Sequence, residues 1–375
     1  MSQFAPQGQR GGILVPFEEL NKPLLICIAL LGLVGVLVLY SVAGGDMSPW
    51  AWRHGVRLIL GFGLMYVIAS ADLRMIYTLA YPFFLVILVM LVGVELFGTK
   101  TMGAQRWLDL GLFRVQPSEF MRLALVLALA RYFHGVHQAD VSQPIVLIVP
   151  IALVGMPALL ILQQPDLGTS IMVVAAGLSV FWLAGVSWRY FMAGGVALIA
   201  AIPIVWQSLL EYQKKRVLVF LDPERDPLGS GYHIIQSKIG IGSGGLFGKG
   251  LAQGTQSQLN FLPERHTDFI FSNFAEEMGF VGSIGLLLLF AITLIVIFRI
   301  ASEMRHPFSR FAVSALGFSL SIYIIVNLAM VMGLSPVVGV PLPFISYGGT
   351  SLLTFMAGMG VILAMERQNM ADLPR

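Results

Sequence analysis

Residues 143–185 read QPIVLIVPIALVGMPALLILQQPDLGTSIMVVAAGLSVFWLAG. Two apolar runs flank one polar step, Gln164-Pro165-Asp166. Each run is about 20 residues, enough to cross roughly 30 Å of hydrocarbon as helix. Pro165 and Asp166 suit the start of the second helix, where the fixed proline φ is tolerated and an acid meets the positive end of the helix dipole. The stretch therefore predicts two antiparallel membrane helices joined by a short polar turn.

The same pattern recurs on both sides. Ten helices are predicted, over roughly 24–44, 56–72, 75–97, 118–135, 143–163, 167–185, 189–209, 273–299, 309–332 and 344–366. A mean hydropathy of +0.82 over the chain excludes an ordinary soluble protein. The expected fold is an all-α integral membrane protein of about ten transmembrane helices. Residues 23–367 form one membrane domain, flanked by the polar segment 1–22 and the tail 368–375. Segment 1–22 lacks the basic, apolar, small-residue order of a cleavable signal peptide.

The Lys/Arg distribution sets the orientation. The termini and the loops after the second, fourth, sixth and eighth helices hold ten: Arg10, Lys22, Arg74, Arg131, Arg189, Arg299, Arg305, Arg310, Arg367 and Arg375. The opposite short loops hold five: Arg53, Arg57, Lys100, Arg106 and Arg114. Both termini are thus expected in the cytoplasm, with a large periplasmic loop, 210–272, between the seventh and eighth helices. A net charge of +3 without a basic tract gives no reason to expect nucleic acid. Cys27 is the single cysteine, so no intrachain disulfide or thiolate cluster can form.

Only 11% of residues are charged, yet Glu119, Arg122, Asp166, Asp268, Glu276 and Glu277 lie at or inside apolar runs. A charge in hydrocarbon costs roughly 2.5–3.5 kcal/mol on insertion scales, so such groups are usually used. Four helix starts carry polar or turn motifs on the expected outer face. They are Gln116-Pro117-Ser118-Glu119, Gln164-Pro165-Asp166, His266-Thr267-Asp268 and Pro343-Phe344-Ile345-Ser346-Tyr347-Gly348-Gly349. Each could be a cap alone. Four on one face suggest a shared site, and converging helix N-termini suit an anionic ligand. Asp268 reads equally as a helix cap or as a partly desolvated general base. Glu119 and Arg122, three apart, share a helix face and form either a structural ion pair or an arginine aimed at an anion. Asn327 reads as a helix–helix hydrogen-bonding residue.

In the long loop, Tyr232–Ile239 has the spacing of a short amphipathic helix on the membrane surface. The glycine run 240–254 is not a nucleotide-binding loop, since Ser243 and Gly250 break that pattern. It reads as a hinged segment that covers substrate.

Taken together, the polar motifs resemble the SEDS proteins. The likeness is carried by the four helix-start motifs above, by Gly168-Thr169-Ser170, Asp222-Pro223 and Gly231-Tyr232-His233-Ile234-Ile235-Gln236-Ser237. It continues through Gly254-Thr255-Gln256-Ser257, Leu262-Pro263-Glu264-Arg265-His266-Thr267-Asp268-Phe269-Ile270-Phe271 and Glu276-Glu277-Met278-Gly279. Within the family, Gly254–Gln258 followed by Leu262–Asp268 resembles the elongation members more than the division members. The resemblance implies a peptidoglycan glycosyltransferase of the bacterial inner membrane that joins lipid II units on the periplasmic side. It also implies a class B penicillin-binding protein and other elongation-machinery membrane proteins as partners. The family's essential aspartate maps onto Asp268, and its helix-four Glu and Lys onto Glu119 and Arg122. Arg where Lys is expected keeps the charge but cannot shed its proton. Arg106, Asp166, Lys238, His266 and Ser346 complete the candidate substrate contacts. A divalent cation, Mg or Mn, shared between Asp268 and substrate phosphates is compatible with these residues. The competing expectations are a lipid II flippase, which would place its site near the midplane, and a non-catalytic scaffold of the cell-wall machinery.

Overall fold

The computed structural model describes residues 15–101, 104–109, 111, 114–209, 211–222, 226, 230–258, 264–370 and 373. Most of the N-terminal polar segment, most of the turn-rich stretch 223–229, Leu262-Pro263 and part of the C-terminal tail lie outside them.

The chain is helical nearly throughout. In order come α1 (Lys22–Val42), α2 (Ala51–Ser70), α3 (Leu73–Phe97), α4 (Pro117–His134), α5 (Pro144–Gln163), α6 (Leu167–Ala184) and α7 (Trp188–Ser208). The long loop carries α8 (Glu211–Leu221), α9 (Ser230–Ser243) and the single turn α10 (Thr255–Gln258). The chain closes with α11 (Ile270–Glu303), α12 (Pro307–Val331) and α13 (Gly349–Arg367). Between α3 and α4 an antiparallel sheet, β1 (Thr99–Thr101), β2 (Ala104–Asp109) and β3 (Arg114–Val115), folds over one end of the bundle. Sequence periodicity gave no sign of it, because the strands are too short to alternate.

Seven helices, α1, α3, α5, α6, α11, α12 and α13, are long and apolar enough to cross a membrane. The apolar part of α7, Trp188–Ile204, is shorter. Helices α2 and α4 stand outside this group; they carry Arg53 and Arg57, and Glu119, Arg122 and Arg131. Burial explains why α4 keeps its charges. It packs against α3, α5, α6, α12 and α13, and fourteen of its eighteen residues are buried, so Glu119 and Arg122 meet protein rather than lipid. By contrast α3, α5 and α11 expose Leu85, Val89, Ile148, Ile151, Leu288 and Ile295, as lipid-facing helices do.

Two helix starts depart from the sequence reading. Helix α2 begins five residues earlier than expected, at Ala51, and so includes Arg53 and His54. Helix α13 begins at Gly349 rather than near 344, leaving Pro343–Gly348 as an irregular turn with Phe344 at φ 65.

Helix α11 is broken at Gly279, with φ 66 and ψ −164. The glycine run fills the gap. Lys249 N and Gly250 N donate to the carbonyls of Glu276 and Glu277, each at 3.0 Å. Phe280 N and Val281 N donate to Gly245 O (2.9 Å) and Leu246 O (3.0 Å). The backbone groups freed by the kink thus find partners in the loop. A Cβ on Gly279 would collide with the backbone of Gly248. Residues 245–250 therefore buttress a broken helix, where the sequence suggested a hinged cover. Helix α9 likewise packs on α11 and α12: Ser237 Oγ donates to Val331 O (2.7 Å) and Ser272 Oγ to Ser237 O (2.9 Å).

Candidate active site

The starts of α4, α6 and α13 and the turn before α11 converge at one end of the bundle. They enclose a cavity of about 230 Å³, lined by residues that include Arg106, Glu119, Asp166, Asp268, Tyr347 and Ser351. The sheet contributes Arg106 and Trp107 to its wall.

The two acids at helix starts play different parts. Asp166 caps α6, accepting from Thr169 N at 3.3 Å. It also accepts from Gln116 Nε2 at 3.2 Å and faces Arg106 Nε at 3.7 Å. Arg106 further donates to the carbonyl of Pro165. Asp166 and Arg106 thus form a loose ion pair that ties the sheet to α6, with Arg106 Nε making no hydrogen bond among the described residues.

Asp268 is not a cap. Helix α11 begins at Ile270 with Phe269 at the cap position and no side-chain cap. Among the described residues the Asp268 carboxylate accepts no hydrogen bond. The residue is partly covered and lines the cavity, with Oδ2 3.5 Å from where a Cβ on Gly339 would stand. Burial pushes this carboxyl up to about 7; Glu264 adds to the rise, while Arg216 and Arg106 oppose it.

Its backbone is held firmly. Asn327 Nδ2, on α12, donates to Asp268 O (2.9 Å) and Val340 O (2.7 Å). Ser346 Oγ donates to Thr267 O (2.7 Å) and accepts from Leu342 N (2.8 Å). Tyr347 N donates to His266 O at 2.9 Å. The turn before α11 and the turn before α13 are therefore laced together. Asn327 is a strut between these turns, not the helix–helix contact its sequence context suggested.

Four of the predicted site residues line the cavity: Arg106, Glu119, Asp166 and Asp268. The other four stand behind or apart. Arg122 lies a turn deeper, its Nη2 3.8 Å from Glu119 Oε2 and its guanidinium against the perpendicular rings of Tyr323 (4.0 Å) and Phe355 (4.2 Å). Ser346 is a strut. His266 stacks on Trp50 with centroids 4.7 Å apart. Burial holds its imidazole below the ordinary histidine range, Glu264 opposing and Arg265 adding. Lys238, on α9, lies against Gly333. Trp107, Gln116, Thr169, Thr267, Tyr347, Thr350 and Ser351 also line the cavity. All but Trp107, Thr350 and Ser351 lie inside quoted motifs, where the acids drew attention first. Among the described residues no three His, Cys, Asp or Glu side chains are grouped to hold a metal by themselves.

The model of the FtsW/RodA/SpoVE family, described as cell cycle protein, matches residues 21–371. The chain is 47% identical over 349 residues to the peptidoglycan glycosyltransferase MrdB of Escherichia coli K12, covering 92% of each. Its fold is similar to a chain from a peptidoglycan synthase complex that coordinates polymerization and crosslinking. There the TM-score is 0.82 and the identity 34%, over 94% of this chain and 99% of that one. It is also similar to the crystal structure of the Thermus thermophilus rod shape determining protein RodA, with a TM-score of 0.72 and 30% identity over 94% and 98% of the two chains. With burial, helix content and these likenesses in agreement, the chain belongs to the FtsW/RodA/SpoVE family and is a multi-pass helical membrane protein.

Proposed function

We propose that this protein is a peptidoglycan glycosyltransferase that joins lipid II units into β-1,4 glycan strands at the periplasmic face of the bacterial inner membrane. The observation that carries the reading is Asp268: a carboxylate freed from capping, placed inside a cavity and raised to about 7. A base needs a pKa near the working pH and an open path to its proton donor.

The reaction is a single displacement. Asp268 takes the proton of the acceptor sugar's 4-hydroxyl as that oxygen attacks the donor's anomeric carbon. The bond from that carbon to the polyprenyl pyrophosphate breaks, and the pyrophosphate leaves with the electron pair. Attack opposite the leaving group inverts the α-linked donor to a β product. Glu119 lines the same cavity and is held from beneath by Arg122, so Arg122 acts on the site through Glu119 and through its positive field. Arg106 brings the one positive side chain that lines the cavity among the described residues, against Glu119, Asp166 and Asp268. This surplus of acid suits a divalent cation, which Asp268 would hold together with substrate phosphates. When bound, such an ion supplies neutralisation of the departing pyrophosphate. The peptidoglycan synthase complex with a similar chain supports a partnership with a class B penicillin-binding transpeptidase.

A lipid II flippase is the reading to separate from this one. The cavity sits at one end of the bundle rather than between its halves, which favours the enzyme. The test is single-cysteine labelling in a Cys27→Ala background. Asp268→Cys and Leu246→Cys should react with a membrane-impermeant thiol reagent from the periplasm, and His306→Cys only after permeabilisation. Labelling of position 268 from both sides would support alternating access and overturn the proposal.

A further inference from the structure

The polymerase reading requires a cation for the leaving pyrophosphate, and each of the two arginines nearest the acids already faces a carboxylate. Arg106 is paired with Asp166 and Pro165 O. Arg122 packs against the rings of Tyr323 and Phe355 beneath Glu119. A third arginine stands against the turn that leads into α13. Arg57, on α2, places its guanidinium carbon 4.5 Å from the centre of the Tyr347 ring. Its Nε and guanidinium carbon lie 3.2 and 3.3 Å from where a Cβ on Gly349 would be. Tyr347, Gly348 and Gly349 all line the cavity. The missing side chain at Gly349 is what lets this guanidinium come up against the cavity rim.

Arg57 is positioned without being neutralised. Among the described residues it pairs with no carboxylate and donates no hydrogen bond. The contact with the Tyr347 ring is a cation–π contact that engages no carboxylate or carbonyl acceptor, so the guanidinium donors are left for a ligand. A planar fork of free donors beside a polar cavity is built for a phosphate oxygen pair.

We infer that Arg57 is a phosphate-binding residue of this site, contacting the pyrophosphate of the donor lipid across Gly349. The inference rests on the polymerase reading for the identity of its ligand. The same chemistry could be supplied by a phospholipid headgroup of the bilayer, so the test separates the two sources.

The full chain with its partner is assayed with lipid II in phospholipid-free neutral detergent and in phosphatidylglycerol-containing nanodiscs. Inorganic pyrophosphate serves as competitor. Arg57→Ala should raise KM for lipid II about tenfold or more, the effect of losing a charge-assisted hydrogen-bond pair. It should weaken pyrophosphate inhibition by a similar factor, with kcat little changed, in both media. Arg57→Lys, which keeps the charge but neither the fork nor the ring contact, should recover only part of the loss. A fall in kcat with unchanged KM would make Arg57 a mere support for Tyr347 and overturn the inference. An effect confined to nanodiscs would assign the contact to a bilayer phosphate and overturn it too. If Arg57→Ala does not fold, Arg57→Gln, which keeps a planar end over Tyr347, takes its place. Should the wild type not polymerise, the parent reading fails by itself. Arg57 is then judged by thermal-shift titration with inorganic pyrophosphate: stabilisation lost in the variant supports the contact, and equal stabilisation overturns it.

Discussion

Replacing Asn327 tests whether the geometry of Asp268 is set from behind. Asn327 is fully buried, and its one amide nitrogen holds two carbonyls, those of Asp268 and Val340. Asn327→Leu keeps the size and removes both bonds. A net hydrogen bond is worth about 1 kcal/mol, and a buried acceptor left bare costs about 1–3 kcal/mol. The Val340 carbonyl is in the fully buried contact and the Asp268 carbonyl in a partly buried one, so the sum is about 2–4 kcal/mol. Some of that cost would be relieved by the two turns moving apart. Movement of about 1 Å at a catalytic group can cost about a hundredfold in rate. The expected outcome is a folded protein with a lowered unfolding temperature and a kcat down by about tenfold to a hundredfold. Asn327→Asp should behave similarly, because an ionised carboxylate donates nothing to either carbonyl. Thermal unfolding in detergent and polymerisation kinetics on lipid II measure the two effects. Wild-type kcat in a folded Asn327→Leu protein would refute the claim that this strut places Asp268.

Other expectations follow from the same contacts. Since Asp268 must be ionised to act as a base, kcat should rise with pH through about 7. The stability effect has the opposite sign. The folded value is raised above the ordinary 3.8, so the folded protein binds this proton more tightly than the unfolded chain, and the associated stability is lost as pH climbs from about 3.8 to about 7. Asp268→Asn removes that loss, and its unfolding temperature relative to wild type should be higher at pH 8 than at pH 5. Glu276 is buried and accepts from Lys249 Nζ (2.7 Å), Thr255 Oγ1 (2.9 Å) and Gln256 N (3.2 Å). Glu276→Ala should therefore loosen residues 249–256 at a cost of about 3 kcal/mol, seen as faster limited proteolysis within that segment. Cleavage at the wild-type rate would contradict its anchoring role.

The helices were readable because lipid imposes long uninterrupted apolar runs, and a run such as 144–163 admits one interpretation. That the four polar motifs meet was readable too, since they fell on one predicted face, although two of them form turns before α11 and α13 rather than helix starts. What escaped was set by tertiary contact. Whether Asp268 caps α11 depends on where the helix begins, and Phe269 takes that place. The depth of Arg122 depends on Tyr323 and Phe355, which come from helices far along the chain. The glycine run gave no hint that Gly279, some thirty residues on, would break a helix to receive it. Arg57 went unremarked as a site residue because only the folded turn at Tyr347–Gly349 brings the cavity to it.

The most direct test of the central claim compares wild type with Asp268→Asn, each purified with the proposed transpeptidase partner and supplied with lipid II. The amide is nearly isosteric, fits the same wall beside Gly339 and cannot take the acceptor's proton. The account predicts glycan polymer from wild type and none from the variant, with the variant folded and at least as stable as wild type above pH 7. Polymer at a near wild-type rate from the variant would contradict it, leaving Asp268 as part of the wall and the base elsewhere.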